Sequence, residues 1–329
     1  MVFNGNPTLA TANLNYTLNA GQTIVFSVYT DIAPNADGLL GAHLTATNPI
    51  VLNNGVWHGN FNGLSGQDIG IDQSVPVPKL GTEFICIRGG GVDGIESPVI
   101  IAHYNNTQIF VNGAGVPMAT INAGDYFAIP GTNYSAGQNM FIRTSQPAYC
   151  YQSLSGAAST ATGGMNFVPA ISCGMPKTVD LIPAVNMIGN SNFIGGITAF
   201  TTSISSLTVT DANGMTFYPA GSGSPVSGAP GWQTFKIQGL VGNTRLESTG
   251  AMSASIFGAN NVAGFAAFFS GFDADIQMTL NVMGDTCLNT TELGASSIFE
   301  DYHWYLDGVE IAGADSNYLN TDIAGTYKA

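Results

Sequence analysis

Apolar and polar residues alternate along most of this chain, and Gly, Asn or Pro interrupts each alternating run within a few residues. A period of two is that of a half-buried β-strand, whereas a helix needs apolar residues at i, i+3, i+4 and i+7. No window of about 12 residues holds the helical spacing. The strand-like runs are Gln22–Tyr29, Gly81–Arg88, Pro98–His103, Gln108–Asn112, Asn139–Arg143, Ser206–Asp211 and Trp232–Ile237. Asn105-Asn106-Thr107, between two such runs, reads as the turn of a hairpin. Ala251–Phe269 comes nearest to a helix, but Gly258, Gly264 and Gly271 argue for strands crowded with small residues. The predicted class is all-β: tandem antiparallel sandwich-like modules, with a propeller-like arrangement as the alternative.

Composition narrows the partners. Apolar residues make up 45% of the 329, enough for a packed core. Charged residues are only 9%, against roughly 25% in an average soluble protein. Seven Lys and Arg against 21 Asp and Glu give a net charge of -14. Such a chain lacks the basic surface that neutralises phosphates, so nucleic acid is excluded as a partner and anionic lipid is disfavoured. No run of about 18 apolar residues is present, so direct membrane insertion is not expected. The start, Met1 to Gly5, lacks the basic and apolar regions of a signal peptide. A removed leader, or a fragment of a longer chain, is therefore expected. The four cysteines form no CxxC pair, which speaks against zinc and redox motifs.

Short segments recur. Leu18-Asn-Ala-Gly-Gln22 and Ile121-Asn-Ala-Gly-Asp125 each precede an apolar run, and Pro230-Gly-Trp-Gln-Thr-Phe235 is a looser third copy. Ala46-Thr-Asn-Pro49 matches Thr144-Ser-Gln-Pro147, and Gly137-Gln-Asn139 matches Gly242-Asn-Thr244. The period is roughly 90–105 residues, too long for a solenoid and suited to a multi-stranded β module; the alternative is convergent turn chemistry, since Asn-Ala-Gly is an ordinary turn. About three modules would fill a first domain, residues 1–277. From residue 278 an early Cys287, Trp304 and a late Tyr327 follow the pattern of an Ig-like sandwich. Asp307-Gly308 between two apolar runs is a hairpin signal. Residues 278–329 are too few for a whole sandwich, so this second domain is expected to be truncated.

Candidate sites are few. Trp57, His58 and Phe61 crowd a Gly/Asn-rich stretch, where large aromatics suit ligand contact; packing between modules accounts for Trp57 equally well. Asp31, Asn35 and Asp37 supply the hard oxygen donors that calcium prefers, though turn chemistry also uses Asp and Asn. A structural calcium is the one cofactor left open; no other is expected. Cys150 and Cys173, with 22 residues between them, could close a Gly/Ala/Ser-rich loop as a disulfide. No Gly-x-Ser-x-Gly elbow accompanies the histidines at 43, 58, 103 and 303. Asp68 and Asp72 share a strand face about 13 Å apart by strand rise, long for a glycosidase pair. No catalytic residue is assigned, and the chain reads as a non-enzyme.

Several segments resemble the amino-terminal domain of the IgG Fc-binding, mucin-associated proteins in its bacterial form. They are Gly41-Ala42-His-Leu-Thr-Ala-Thr-Asn-Pro49, Asn53-Asn-Gly-Val-Trp57, Gly66-Gln-Asp-Ile-Gly-Ile-Asp-Gln73, Leu80-Gly-Thr-Glu-Phe-Ile85, Ile100-Ile-Ala-His-Tyr-Asn-Asn-Thr107 and Phe167-Val-Pro-Ala-Ile-Ser-Cys173. The tail is similar to the Ig-like repeats of long surface proteins in Bacteroidetes. The resemblance implies an adhesin exported by the type 9 secretion system, located extracellularly on the bacterial cell surface. It implies as partners an extracellular glycan or protein ligand and other domains of the same long chain. The alternative expectation is a carbohydrate- or glycoprotein-binding domain attached to a secreted enzyme. The IgG-binding activity itself is not carried over, since no residue of this sequence is tied to it.

Overall fold

The computed structural model describes residues 15–28, 39–59, 68–160, 162–172, 174–272, 281–283, 291–295 and 301–329. The chain folds as two compact units, Met1–Asp273 and Ala274–Ala329. In the first unit the strands are β1 (Asn53–Gly59), β2 (Asp68–Gln73), β3 (Gly81–Ile87), β4 (Pro98–Ala102), β5 (Thr107–Val111), β6 (Ala119–Ile121), β7 (Tyr126–Ala128), β8 (Asn139–Ser155), β9 (Gly163–Phe167) and β10 (Thr178–Ile182). They continue with β11 (Met187–Ile188), β12 (Ser191–Asn192), β13 (Ile194–Thr202), β14 (Leu207–Asp211), β15 (Gly214–Tyr218), β16 (Ser224–Pro225), β17 (Trp232–Leu240), β18 (Thr244–Ser248), β19 (Met252–Asn260) and β20 (Ala263–Ser270). All pairings are antiparallel, and no described residue lies in an α-helix.

The expected hairpin at 98–112 does not form. β4 pairs with β7 and β8, while β5 pairs with β6 and β8, and neither pairs with the other. The four residues between them carry the chain from one sheet to the sheet facing it, with Asn106 at φ 58°. An Asn-rich turn between two apolar runs serves an arch as well as a hairpin, because both need only a residue tolerant of positive φ. The described part of the 22–29 run forms no strand.

β8 explains the arch. Its first half, from Asn139, lies between β5 and β3; its second half, ending at Ser155, lies between β4 and β9. One strand therefore serves two sheets, β6-β5-β8-β3 and β7-β4-β8-β9. Between them lies a core that includes Phe84, Cys86, Ile100, Ile109, Met140, Ile142 and Cys150. Full burial of each large apolar side chain contributes about 1.5–3 kcal/mol.

A second sandwich follows with the same strand order. Its sheets run β15-β14-β18-β10 and β17-β13-β19-β20, with β16 added beside β17. Its core includes Val179, Ile182, Ile197, Leu207, Leu246 and Met252. Segment 121–125 leads into β7, and segment 230–235 into β17, which holds the same place in the second sandwich. Ahead of both, β1 and β2 form an antiparallel pair.

The two sandwiches meet through a third cluster. In β3, Phe84 and Cys86 face the first core while Ile85 and Ile87 face the other way. Those two, with Phe141, pack against Phe200, Val226 and Ala251 of the second sandwich. This is why the run Phe84 to Ile87 shows no alternation: both of its faces are buried. Elsewhere backbone meets backbone. A Cβ on Gly156 would run into the carbonyl of Gly258, and one on Gly90 into that of Gly156.

In the second unit the strands are β21 (Asn281–Met283), β22 (Thr291–Gly294), β23 (Tyr305–Leu306), β24 (Val309–Glu310), β25 (Tyr318–Thr321) and β26 (Tyr327–Lys328). They form two three-stranded sheets, β21-β22-β25 and β24-β23-β26. Asp307 and Gly308 turn β23 into β24 with φ of 51° and 85°, the left-handed pair that a two-residue hairpin needs. Trp304 is fully buried and donates its indole N–H to Ser316 O at 2.8 Å.

Candidate functional site

A cleft of about 400 Å³ opens between the two sandwiches. One wall is the outer face of the β6-β5-β8-β3 sheet. Glu83 of β3 and Arg143 of β8 are direct cross-strand partners, so their side chains leave the sheet on the same face. Phe141, two residues before Arg143, points the same way and is buried at the cleft's base. The opposite wall is Trp232 at the start of β17, with Gly228, Ala229 and Gly231 leading into it. Gly113 and Ala114, from the β5–β6 turn, close one side.

The charged groups are held without being neutralised. Arg143 lays its guanidinium over the Phe110 ring, 4.1 Å from the centroid. Among the described residues it forms no ion pair, and neither does Glu83. Trp232 is fixed edge-on against Phe200, with centroids 5.5 Å apart at 81°. The cleft thus presents a carboxylate acceptor and a planar guanidinium donor on the first sandwich and an aromatic wall on the second.

Most of the residues singled out from sequence lie outside the described residues. Trp57 and His58 fall in β1, but their side chains, and the whole of Phe61, lie outside the described residues. So do Asp31, Asn35, Asp37 and Cys173. Among the described residues, no three His, Cys, Asp or Glu side chains group as metal ligands. Cys150, expected from spacing to pair with Cys173, is a free buried thiol whose sulfur lies 3.8 Å from that of Cys86. Asp72 has a packing role: it accepts from the amides of Phe167 and Gln73, each at 2.8 Å, tying β2 to β9. Burial raises its carboxyl above the usual range, and those two amides act against the rise. The rings of His43 and His103 meet at 5.7 Å, and His303 Nδ1 is 2.9 Å from Glu310.

One further group has an unusual environment. Glu96 is fully buried and accepts from the amides of Gly89 at 2.7 Å, Gly91 at 2.8 Å and Ser155 at 3.2 Å. Burial outweighs these donors and the nearby Arg88 charge, and pushes its carboxyl up to about 7. Its oxygens are engaged by these backbone amides and by the side-chain amide of Gln152, which donates at 3.4 Å, so it fastens the 89–91 strap rather than facing a ligand.

The cleft escaped sequence reasoning because its parts come from positions 83, 143 and 232, the first two joined by strand pairing and the third brought to them by the packing of two sandwiches. Arg143 was the available signal, being one of only seven basic residues. Residues 1–258 match the family model described as IgGFc binding protein. No curated protein and no solved structure matches the chain.

Proposed function

This chain belongs to the IgGFc-binding protein family, and from that premise we propose that it is a non-catalytic recognition and adhesion module of a long bacterial cell-surface protein, displayed outside the cell. The observation that carries the reading is the cleft in which Glu83, Arg143 and Trp232 converge without pairing to one another. Open donors and acceptors beside an aromatic wall suit a ligand's polar edge and apolar face together. A non-catalytic role is supported by the lining, which contains no His, Cys or Ser. Its single carboxylate is one short of the pair that glycoside cleavage uses. The ligand is a protein outside the cell. Several modules in one long chain would add weak contacts through effective concentration. Export by the type 9 secretion system belongs to the same proposal. No cofactor takes part in recognition; a calcium ion at Asp31, Asn35 and Asp37 would stabilise the module rather than act.

A second reading is a carbohydrate-binding domain attached to a secreted enzyme. Trp232 beside Glu83 and Arg143 favours it, since a pyranose offers a C–H face to an indole and hydroxyls to the charged pair.

The test is capture by the purified chain from an array of glycans and from IgG Fc with and without its attached glycan. Saturable binding is expected, at least tenfold weaker in a Glu83→Gln/Arg143→Gln double variant with unchanged thermal stability. Loss of binding on removing the glycan selects the second reading. Binding that ignores the double variant, or no binding at all, sinks the cleft as the recognition site. Turnover of a polysaccharide or peptide, abolished by Glu83→Gln, sinks the non-catalytic reading.

A further inference from the structure

We propose that Cys86 and Cys150 are joined in the exported protein as a cystine that staples the two sheets of the first sandwich. The cysteines reach the same core from different sheets. Cys86 lies in β3 opposite Met140, in the sheet built on the first half of β8. Cys150 lies in the second half of β8 opposite Ile100 of β4, in the facing sheet. Both are fully buried, and their sulfurs stand 3.8 Å apart. A cystine needs sulfurs about 2.05 Å apart on Cβ atoms about 3.8 Å apart. Closing the gap therefore moves each sulfur by roughly 1 Å, within reach of side-chain rotation. Core packing alone does not call for sulfur here. The second sandwich, with the same strand order, fills its core with groups such as Val179, Ile197, Ala199 and Ala254, with no cysteine among its described residues.

The chemistry is thiol–disulfide exchange with a small disulfide or a disulfide-donating oxidase. One cysteine thiolate attacks the oxidant's sulfur and expels a thiolate. The second cysteine thiolate then attacks the resulting mixed disulfide and expels the other. Two protein thiols lose two protons and two electrons, and the oxidant's disulfide is reduced to two thiols. In the closed sandwich burial raises the Cys150 thiol well above its ordinary range, and neither sulfur is exposed to an oxidant. Exchange therefore precedes closure of the two sheets. Once they close, the same burial shields the bond from reductants. The inference is independent of which ligand the cleft takes. A bond from Cys150 to Cys86 would exclude the alternative pairing of Cys150 with Cys173, since one sulfur accepts one partner.

The test uses the 329-residue chain, folded in a buffer of oxidised and reduced glutathione. The chain is then denatured, alkylated with N-ethylmaleimide and digested with chymotrypsin, which cuts between all three cysteines concerned. The expected result is a linked pair of peptides carrying Cys86 and Cys150, both free of alkylation. The oxidised chain should melt about 10 °C above the reduced one, as expected for a loop of this length. In Cys86→Ala, Cys150 should become fully alkylated. Alkylation of both cysteines after oxidative folding, or a linkage from Cys150 to Cys173, overturns the proposal. The peptide map of the unaltered chain decides the matter even if the variant does not fold.

Discussion

Glu96 is a carboxyl whose ionisation is tightly bound to the fold. Its carboxyl rises from 4.5 to about 7 in the folded chain. Between those values the folded state holds a proton that the unfolded chain has released, so stability is greatest at or below pH 4.5 and falls as pH climbs to about 7. At 1.36 kcal/mol per pKa unit the loss is about 3 kcal/mol. Urea midpoints measured from pH 4.5 to 7.5 should show this decline, and Glu96→Gln should remove that part of it. The variant should also be less stable overall, because an amide nitrogen would face the donors of Gly89, Gly91 and Ser155. A pH profile unchanged by the substitution would mean that the carboxyl ionises normally. None of this was legible in the sequence, where Glu96 is one acid among 21. What makes it singular is the strap of three glycines, Gly89 to Gly91, folded over it.

At the scale of the element, strand identity could be read and strand partnership could not. Gly81–Arg88, Asn139–Arg143, Ser206–Asp211 and Trp232–Ile237 all fall within or across observed strands. Periodicity reports which side chains a strand buries, and that is a local property. Whether β4 turns back onto β5 or arches over to the facing sheet depends on β8, which begins 37 residues after Ala102. The glycines carry a similar lesson. Their abundance signalled turns, yet Gly90, Gly156 and Gly258 mark places where backbone segments distant in sequence touch. Gly156→Ala should therefore destabilise the chain by about 1–3 kcal/mol through overpacking. Gly115→Ala, with nothing within 4 Å of the added carbon, should stay within about 0.5 kcal/mol. Chemical denaturation of the two variants side by side would check this, and equal effects would show that the seam between the sandwiches is loose.

For the whole molecule, the informative surface is the one between the sandwiches. Phe141 has a foot in it: it lies 5% exposed among Ile85, Phe200 and Val226 and forms the base of the cleft. Phe141→Ala should cost about 3–5 kcal/mol and make the two sandwiches unfold at separate denaturant concentrations. Fluorescence of Trp232, on the second sandwich, would part company with circular dichroism of the whole. Coincident transitions in the variant would show that the sandwiches hold together by other means. The site lay beyond sequence reasoning for the same cause. Asp31, Trp57 and Cys173 are conspicuous through their neighbours along the chain, whereas the cleft assembles neighbours in space. β8 has one more consequence, for a protein pulled at its ends. Because the strand is sewn into both sheets of the first sandwich, tension cannot peel one sheet away and leave the other standing. The load must break two hydrogen-bonded ladders at once, so the module should yield in a single abrupt step at high force.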